Sequence, residues 1–215
     1  MDGLLPTGVW QKGELFVDRH TVRPFPGTPP GDYWIEVALY GTLGSQWLEP
    51  DPGGSALLGP VTLPGSLLWS PDALDIEQRM EANLGDKVSL LGYNLESGLR
   101  PGDNIHLTLF WQCLEEMEQS YTVLIHLVDA RDNIVAQKDN PPVDGFYLTT
   151  KWEAGEIVRD QYDLVIPSDV PSGEYRLKVG MYLAETGERL NVLKDGVPLP
   201  DNRILLQPVA IGSVE

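Results

Sequence analysis

The residues of this chain best placed to do chemistry recur in one spaced element, Trp-x-x-Gly-Glu-x-x-x-Asp, which occurs twice. The first occurrence is Trp10, Gly13, Glu14, Asp18 and the second is Trp152, Gly155, Glu156, Asp160. Two carboxylates a few residues apart are the equipment of a glycosidase-like acid pair, provided they face each other across a cleft at roughly 5 to 9.5 Å. The same residues also suit a structural task. In the reading as strand, Asp160 shares parity with Val158, Tyr162 and Leu164, and Asp18 with Phe16, His20 and Val22, so each carboxylate points toward a packed face. A carboxylate there needs donors, which the element's own Trp indole N–H or nearby loop amides can supply. Because identical pairs stand in both copies, we read Trp10, Glu14, Asp18, Trp152, Glu156 and Asp160 as loop-pinning scaffold rather than catalytic machinery.

Other groups are weaker candidates. Asp139, Asp144, Asp160 and Asp163 bracket one stretch and would offer hard oxygen ligands to a structural Ca²⁺, yet no D-x-D-x-D-G loop is present. No metal site and no cofactor are therefore expected. His20, His106 and His126 lack zinc spacing, and neither a G-x-S-x-G elbow nor a phosphate-binding glycine loop occurs. The single cysteine, Cys113, continues the alternation Leu107, Leu109, Trp111 and reads as a core thiol. His126 falls inside an apolar run and reads as a half-buried sheet residue. Six tryptophans in an acidic chain raise sugar recognition, because aromatic faces stack on pyranose rings. Trp34 alternates with inward Tyr33 and Ile35, while Trp47 and Trp69 lie in loop-like segments, so these three form the candidate ligand platform.

The elements that must position these groups are strands. Period-two alternation bounded by Gly, Pro, Asn or Asp recurs near 76–82, 87–95, 104–113, 120–129, 133–138, 156–166, 174–183 and 203–211. The run 121–128 is apolar in both parities and should be central, and residues 128–134 read as a hairpin turn held by Asp129, Asp132 and Asn133. Helix is scarce, and its best candidate, Pro71 to Met80, is limited to one turn.

The sequence also repeats. Residues 3–48 align without a gap on 145–190, with 12 of 46 positions identical, where composition alone gives about three. After a six-residue insertion, Leu57, Leu58, Pro60 and Val61 align with Leu205, Leu206, Pro208 and Val209. Residues 66–215 thus read as one complete unit and residues 1–65 as the back half of a preceding one. The fold class expected is all-β, tandem antiparallel sandwiches of immunoglobulin-like or jelly-roll type, the first copy incomplete. Two origins stand for the half unit: a piece of a longer tandem array, or a natural half-domain that pairs with a second chain, giving a homodimer through residues 1–65.

Composition limits the partners. With 15 basic against 32 acidic residues the net charge is −17, which repels nucleic acid and anionic membrane surfaces. The start, Met-Asp-Gly-Leu-Leu-Pro, does not read as a signal peptide, and no apolar run reads as a membrane span.

The strings Leu91-Gly92-Tyr93-Asn94-Leu95, Arg100-Pro101-Gly102-Asp103, Leu107 to Trp111, Tyr121 to Asp129, Val135 to Asp139 and the Trp152, Gly155, Glu156 element resemble a known module. It is the extracytoplasmic β-sandwich at the C-terminal end of multi-span, mannosyltransferase-like membrane glycosyltransferases of Chloroflexi-type bacteria, also found in tandem in surface proteins. The resemblance covers residues 76–211 and, as a partial copy, 3–63. It implies an extracytoplasmic or cell-surface location, other domains of a parent protein as partners, and no catalysis by the module itself; any transferase activity would lie in another part of that protein. The function expected is a non-catalytic accessory, spacer or protein-interaction module, with a carbohydrate-binding module as the alternative.

Overall fold

The computed structural model describes residues 11–15, 17, 19–37, 56–65, 69–96 and 99–212, with 39, 40, 47 and 48 described by backbone alone. Trp10, Asp18 and the side chain of Trp47 lie outside the described residues.

The protein is all-β. In chain order the strands are β1 (Gly31–Val37), β2 (Leu39–Tyr40), β3 (Trp47–Leu48), β4 (Ala56–Leu63), β5 (Gln78–Leu84), β6 (Val88–Leu95), β7 (Asn104–Cys113), β8 (Tyr121–Val128), β9 (Ile134–Asn140), β10 (Ile157–Val165), β11 (Gly173–Leu183), β12 (Val192–Lys194), β13 (Val197–Pro198) and β14 (Ile204–Ile211). One sheet runs β10-β7-β6-β5-β12-β13 and the second β14-β11-β8-β9, with antiparallel neighbours throughout. Their inner faces share one core, to which the larger sheet gives Leu90, Leu107, Leu109, Trp111 and Val158, and the smaller gives Val123, Ile125, Leu127, Leu177, Val179 and Met181. Alternation dictates this: Tyr175, Leu177, Val179 and Met181 of β11 are buried while Glu174, Arg176 and Lys178 turn outward. β8, apolar in both parities, is buried along its whole length between β11 and β9.

Turns follow local chemistry. Asp129 Oδ1 accepts from the amides of Arg131 (2.8 Å) and Asn133 (2.9 Å), fixing the β8–β9 hairpin. Pro71–Ala73 forms one helical turn, capped by Ser70, before the chain extends into β5, and further single turns stand at Val143–Gly145, Thr149–Lys151 and Pro200–Asn202. Gly92 sits at a register shift between β5, β6 and β7 with φ of 149°, and a Cβ there would stand 2.4 Å from the Gln78 carbonyl oxygen. The hairpin β12–β13, absent from the sequence-based expectation, lies in the inserted stretch and pairs with the edge of β5.

The repeat reappears as geometry. β1 pairs with β4 in the register β11 uses with β14: Gly31, Tyr33, Glu36 and Val37 face Leu63, Val61, Leu57 and Ala56, as Gly173, Tyr175, Lys178 and Val179 face Ile211, Val209, Leu205 and Ile204. Tyr33 Oη donates to the Pro29 carbonyl and Tyr175 Oη to the Pro171 carbonyl, both at 2.7 Å. Even the short pair Tyr40 and Trp47 repeats the bridge of Tyr182 to Arg189.

One expectation fails. A strand is expected around Phe16 to Val22 by analogy with β10, whereas the described residues of 15–23 carry no strand and are exposed. β10 is held along its length by β7, and no strand among the described residues plays that role for 15–23. Residues 25–33 instead pack on the second unit. The Arg159 amide donates to the Gly27 carbonyl at 2.7 Å, the Arg159 guanidinium sits 4.7 Å over the Phe25 ring, and Tyr33 meets Phe146 edge-on at 6.2 Å. Arg159 lies on β10, the outermost strand of its sheet, so this contact covers part of an otherwise open edge.

Candidate functional site

The second spaced element holds two buried sets of hydrogen bonds, one around Glu156 and one around Asp160. Gly155, at φ of 86°, turns the chain so that the Glu156 amide donates to the Glu153 carbonyl (2.9 Å) while the Glu153 amide donates to Glu156 Oε2 (2.9 Å). Tyr147 Oη donates to the same carboxylate at 3.1 Å, and the Trp152 indole donates to the Tyr147 carbonyl at 3.1 Å. Burial raises the Glu156 carboxyl above its ordinary range, against the hydrogen bonds that lower it. Glu14 repeats the turn: its amide donates to the Gln11 carbonyl at 3.1 Å and Gln11 donates to Glu14 Oε2 at 2.9 Å, here exposed to solvent.

Asp160 is fully enclosed. Its Oδ2 accepts from Tyr162 Oη (2.6 Å) and Trp111 Nε1 (3.2 Å), and its Oδ1 from the Val143 amide (2.8 Å). The indole donor is thus Trp111, not Trp152 of the same element. Burial outweighs these three bonds and pushes the carboxyl up to about 6. Asp160 clamps the loop after β9 onto β10 and β7, a positioning task that leaves it sealed from solvent. Glu156 and Asp160 therefore stand inside the fold rather than across an open cleft.

The remaining titratable groups sit apart. Asp163 pairs with His106 Nδ1 at 2.6 Å, which raises that exposed imidazole. His126 is buried, 3.5 Å from Asp139 through Nε2, and burial lowers it. Cys113 is buried, and desolvation pushes its thiol up to about 11. Among the described residues, no group of three or more His, Cys, Asp or Glu stands together to hold a metal ion.

Two of the platform tryptophans have described side chains. Trp34 is exposed on β1, whereas Trp69 packs partly buried against Leu74, Phe110 and Ile157 on the outer face of the larger sheet. On that same outer face lies a feature the sequence reading missed, a groove of about 410 Å³ lined by Glu77, Asn94, His106, Thr108, Arg159 and Gln161. Arg159 is half-buried, and desolvation lowers its pKa. Among the described residues its guanidinium has the Phe25 ring for a neighbour and no acid partner. The signal was present as polar residues at the outward parity of β7 and β10, but their convergence depends on the strand order.

Among the described residues no helix is long and apolar enough to cross a membrane. No protein-family model matches the chain, and no curated protein matches it.

Proposed function

We propose that this chain is a non-catalytic β-sandwich accessory module, an extracytoplasmic part of a larger membrane or surface protein, whose task is to space and join that protein's other domains. The observation that carries this reading is the junction between units. A backbone hydrogen bond from Arg159 to Gly27, the Arg159–Phe25 stack and the Tyr33–Phe146 contact fasten the first unit's tyrosine corner to the second unit's outer strand. Contacts of backbone and aromatic rings at a sheet edge give a tandem array a set angle, where a flexible linker would leave domain motion as the default. The test is small-angle scattering of the wild type against the double variant F25A/R159A. A spacer joint predicts a broader distance distribution in the variant with the second unit's unfolding unchanged. Indistinguishable profiles would remove the reading.

A carbohydrate-binding role is the second reading, favoured by one observation: an arginine that among the described residues makes no ion pair, in a polar groove lined also by Glu77 and Glu96. Its guanidinium fork and the Gln161 amide suit hydroxyl or carboxylate groups of a saccharide. Titration of tryptophan and tyrosine fluorescence with soluble polysaccharides, with Q161A and W34A as controls, decides it. A saturable change lost in Q161A places the sugar in the groove, loss in W34A places it on β1, and no change ends the reading.

A further inference from the structure

The first unit carries an apolar face that its twin buries. Val37, Leu58 and Val61 are 46%, 56% and 43% exposed, while their counterparts Val179, Leu206 and Val209 are 0%, 3% and 4% exposed. The backbone is the same in both, residue for residue in register, so the difference lies in what stands opposite. In the second unit that is the larger sheet, whose Leu90, Leu107, Leu109 and Trp111 share the core with Val179, Leu206 and Val209. In addition, β11 has β8 along its second edge, whereas among the described residues β1 pairs with β4 alone. Leu15, Val17 and Val22, counterparts of β10 residues, are likewise exposed.

We infer that the β1–β4 face is the seat of one specific occupant, the front half of a preceding unit of the same module, equivalent to residues 66–142 of this chain. This rests on the tandem-module reading above and names its partner. Two unmet needs point to the same occupant. The apolar row needs a facing sheet, and the edge of β1, which among the described residues pairs with β4 alone, needs a counterpart of β8. A second copy of the chain's own β1–β4 ribbon would meet the first need alone. An isolated two-stranded ribbon is marginal in water, so the occupant would also stabilise the ribbon itself.

The repeat offset supplies the test. Because residue 143 is the counterpart of residue 1, placing a duplicate of residues 66–142 ahead of Met1 completes the first unit while leaving all 215 residues in place. Hydrogen–deuterium exchange is then followed in both proteins at 15–23, 31–37 and 56–63. The expected result is slowing by at least about tenfold in all three segments of the extended chain, since amides in packed strands exchange only on opening. Leu58→Asp should abolish that slowing in the extended chain and leave the second unit's unfolding in the original chain unchanged. Unchanged exchange, an extended chain that fails to fold, or slowing that survives Leu58→Asp would each overturn the inference. So would an original chain that sediments as a dimer with β1 and β4 already protected, which would make the second copy the occupant. Neither exchange result bears on the Arg159 joint, so the scattering experiment fails or succeeds independently.

Discussion

Removing the Asp160 carboxylate should destabilise the fold by an amount that depends on pH in a defined direction. In Asp160→Ala three enclosed donors, Trp111 Nε1, Tyr162 Oη and the Val143 amide, lose their acceptor. Each unpaired buried donor costs about 1–3 kcal/mol, so the set costs about 3–9 kcal/mol. Against this, the substitution removes a carboxylate whose burial is itself unfavourable when charged. Its carboxyl titrates at about 6 in the fold against an ordinary 3.8, and that separation is ~3 kcal/mol once both states are ionised. The folded state holds the proton more tightly than the unfolded chain between these two values. The wild type therefore loses stability as pH rises from about 4 to about 6 through this group, and is flat above. The net loss in Asp160→Ala at neutral pH is about 0–6 kcal/mol, and it should grow by ~3 kcal/mol near pH 4. Asp160→Asn keeps the shape but puts an amide N–H₂ against one of the N–H donors, so a loss of about 1–3 kcal/mol is expected at neutral pH. Urea unfolding across that pH range, followed by fluorescence of the buried Trp111 and Trp152, measures all of this. A difference between wild type and Asp160→Ala that stays below about 1 kcal/mol, or that does not change with pH, refutes the clamp.

Two further outcomes follow from single positions. Gly92→Ala puts a Cβ 2.4 Å from a carbonyl oxygen at a φ of 149°, and should cost about 2–4 kcal/mol in urea unfolding; a neutral substitution would mean that the β5–β6 bulge adjusts freely. Cys113, with its thiol pushed from 9.0 to about 11, should carry ~100-fold less thiolate than an ordinary thiol at pH 8. Iodoacetamide should label it at a measurable rate only when urea unfolds the chain, and equal labelling of native and unfolded protein would contradict its burial.

The strands of the complete unit were legible because each has an inside and an outside. Asn104–Cys113 has the bounds that alternation gives, and the other strands of the complete unit named from alternation lie within about two residues of theirs. The β12–β13 hairpin was hidden because it falls in an insertion with no counterpart, although Asp195-Gly196 between Lys194 and Val197 is itself a hairpin signal. Asp160 was legible as a residue facing the core, since parity fixes its direction. Its donor Trp111 was not, because that pairing follows from β10 lying beside β7 with Val158 opposite Trp111. The polar groove required the same knowledge of neighbours, as Arg159, Gln161, His106 and Thr108 come from strands about 50 residues apart in sequence.

The two copies of the Gly-Glu turn separate what a segment encodes by itself from what it owes to neighbours. Glu14 and Glu156 form the same pair of hydrogen bonds to residues three positions back, although one turn is exposed and the other buried. Such bonds close over three residues, so the entropy of forming them is small and burial is not required. The segments that follow diverge: Ile157–Val165 is a strand paired along its length with β7, while the described residues of 15–23 carry no strand. A strand satisfies its backbone groups only through a neighbour distant in sequence, so the same kind of segment takes that form where the neighbour stands and lacks it elsewhere. β1 and β4 stay paired because each is the other's neighbour, and they keep their twin's register because the Tyr33 corner and the bulge after it are set within the ribbon. What the ribbon cannot supply is a cover for Val37, Leu58 and Val61. Among the described residues the first copy thus keeps the pairing and the corner that its own strands make, while its apolar row stays exposed.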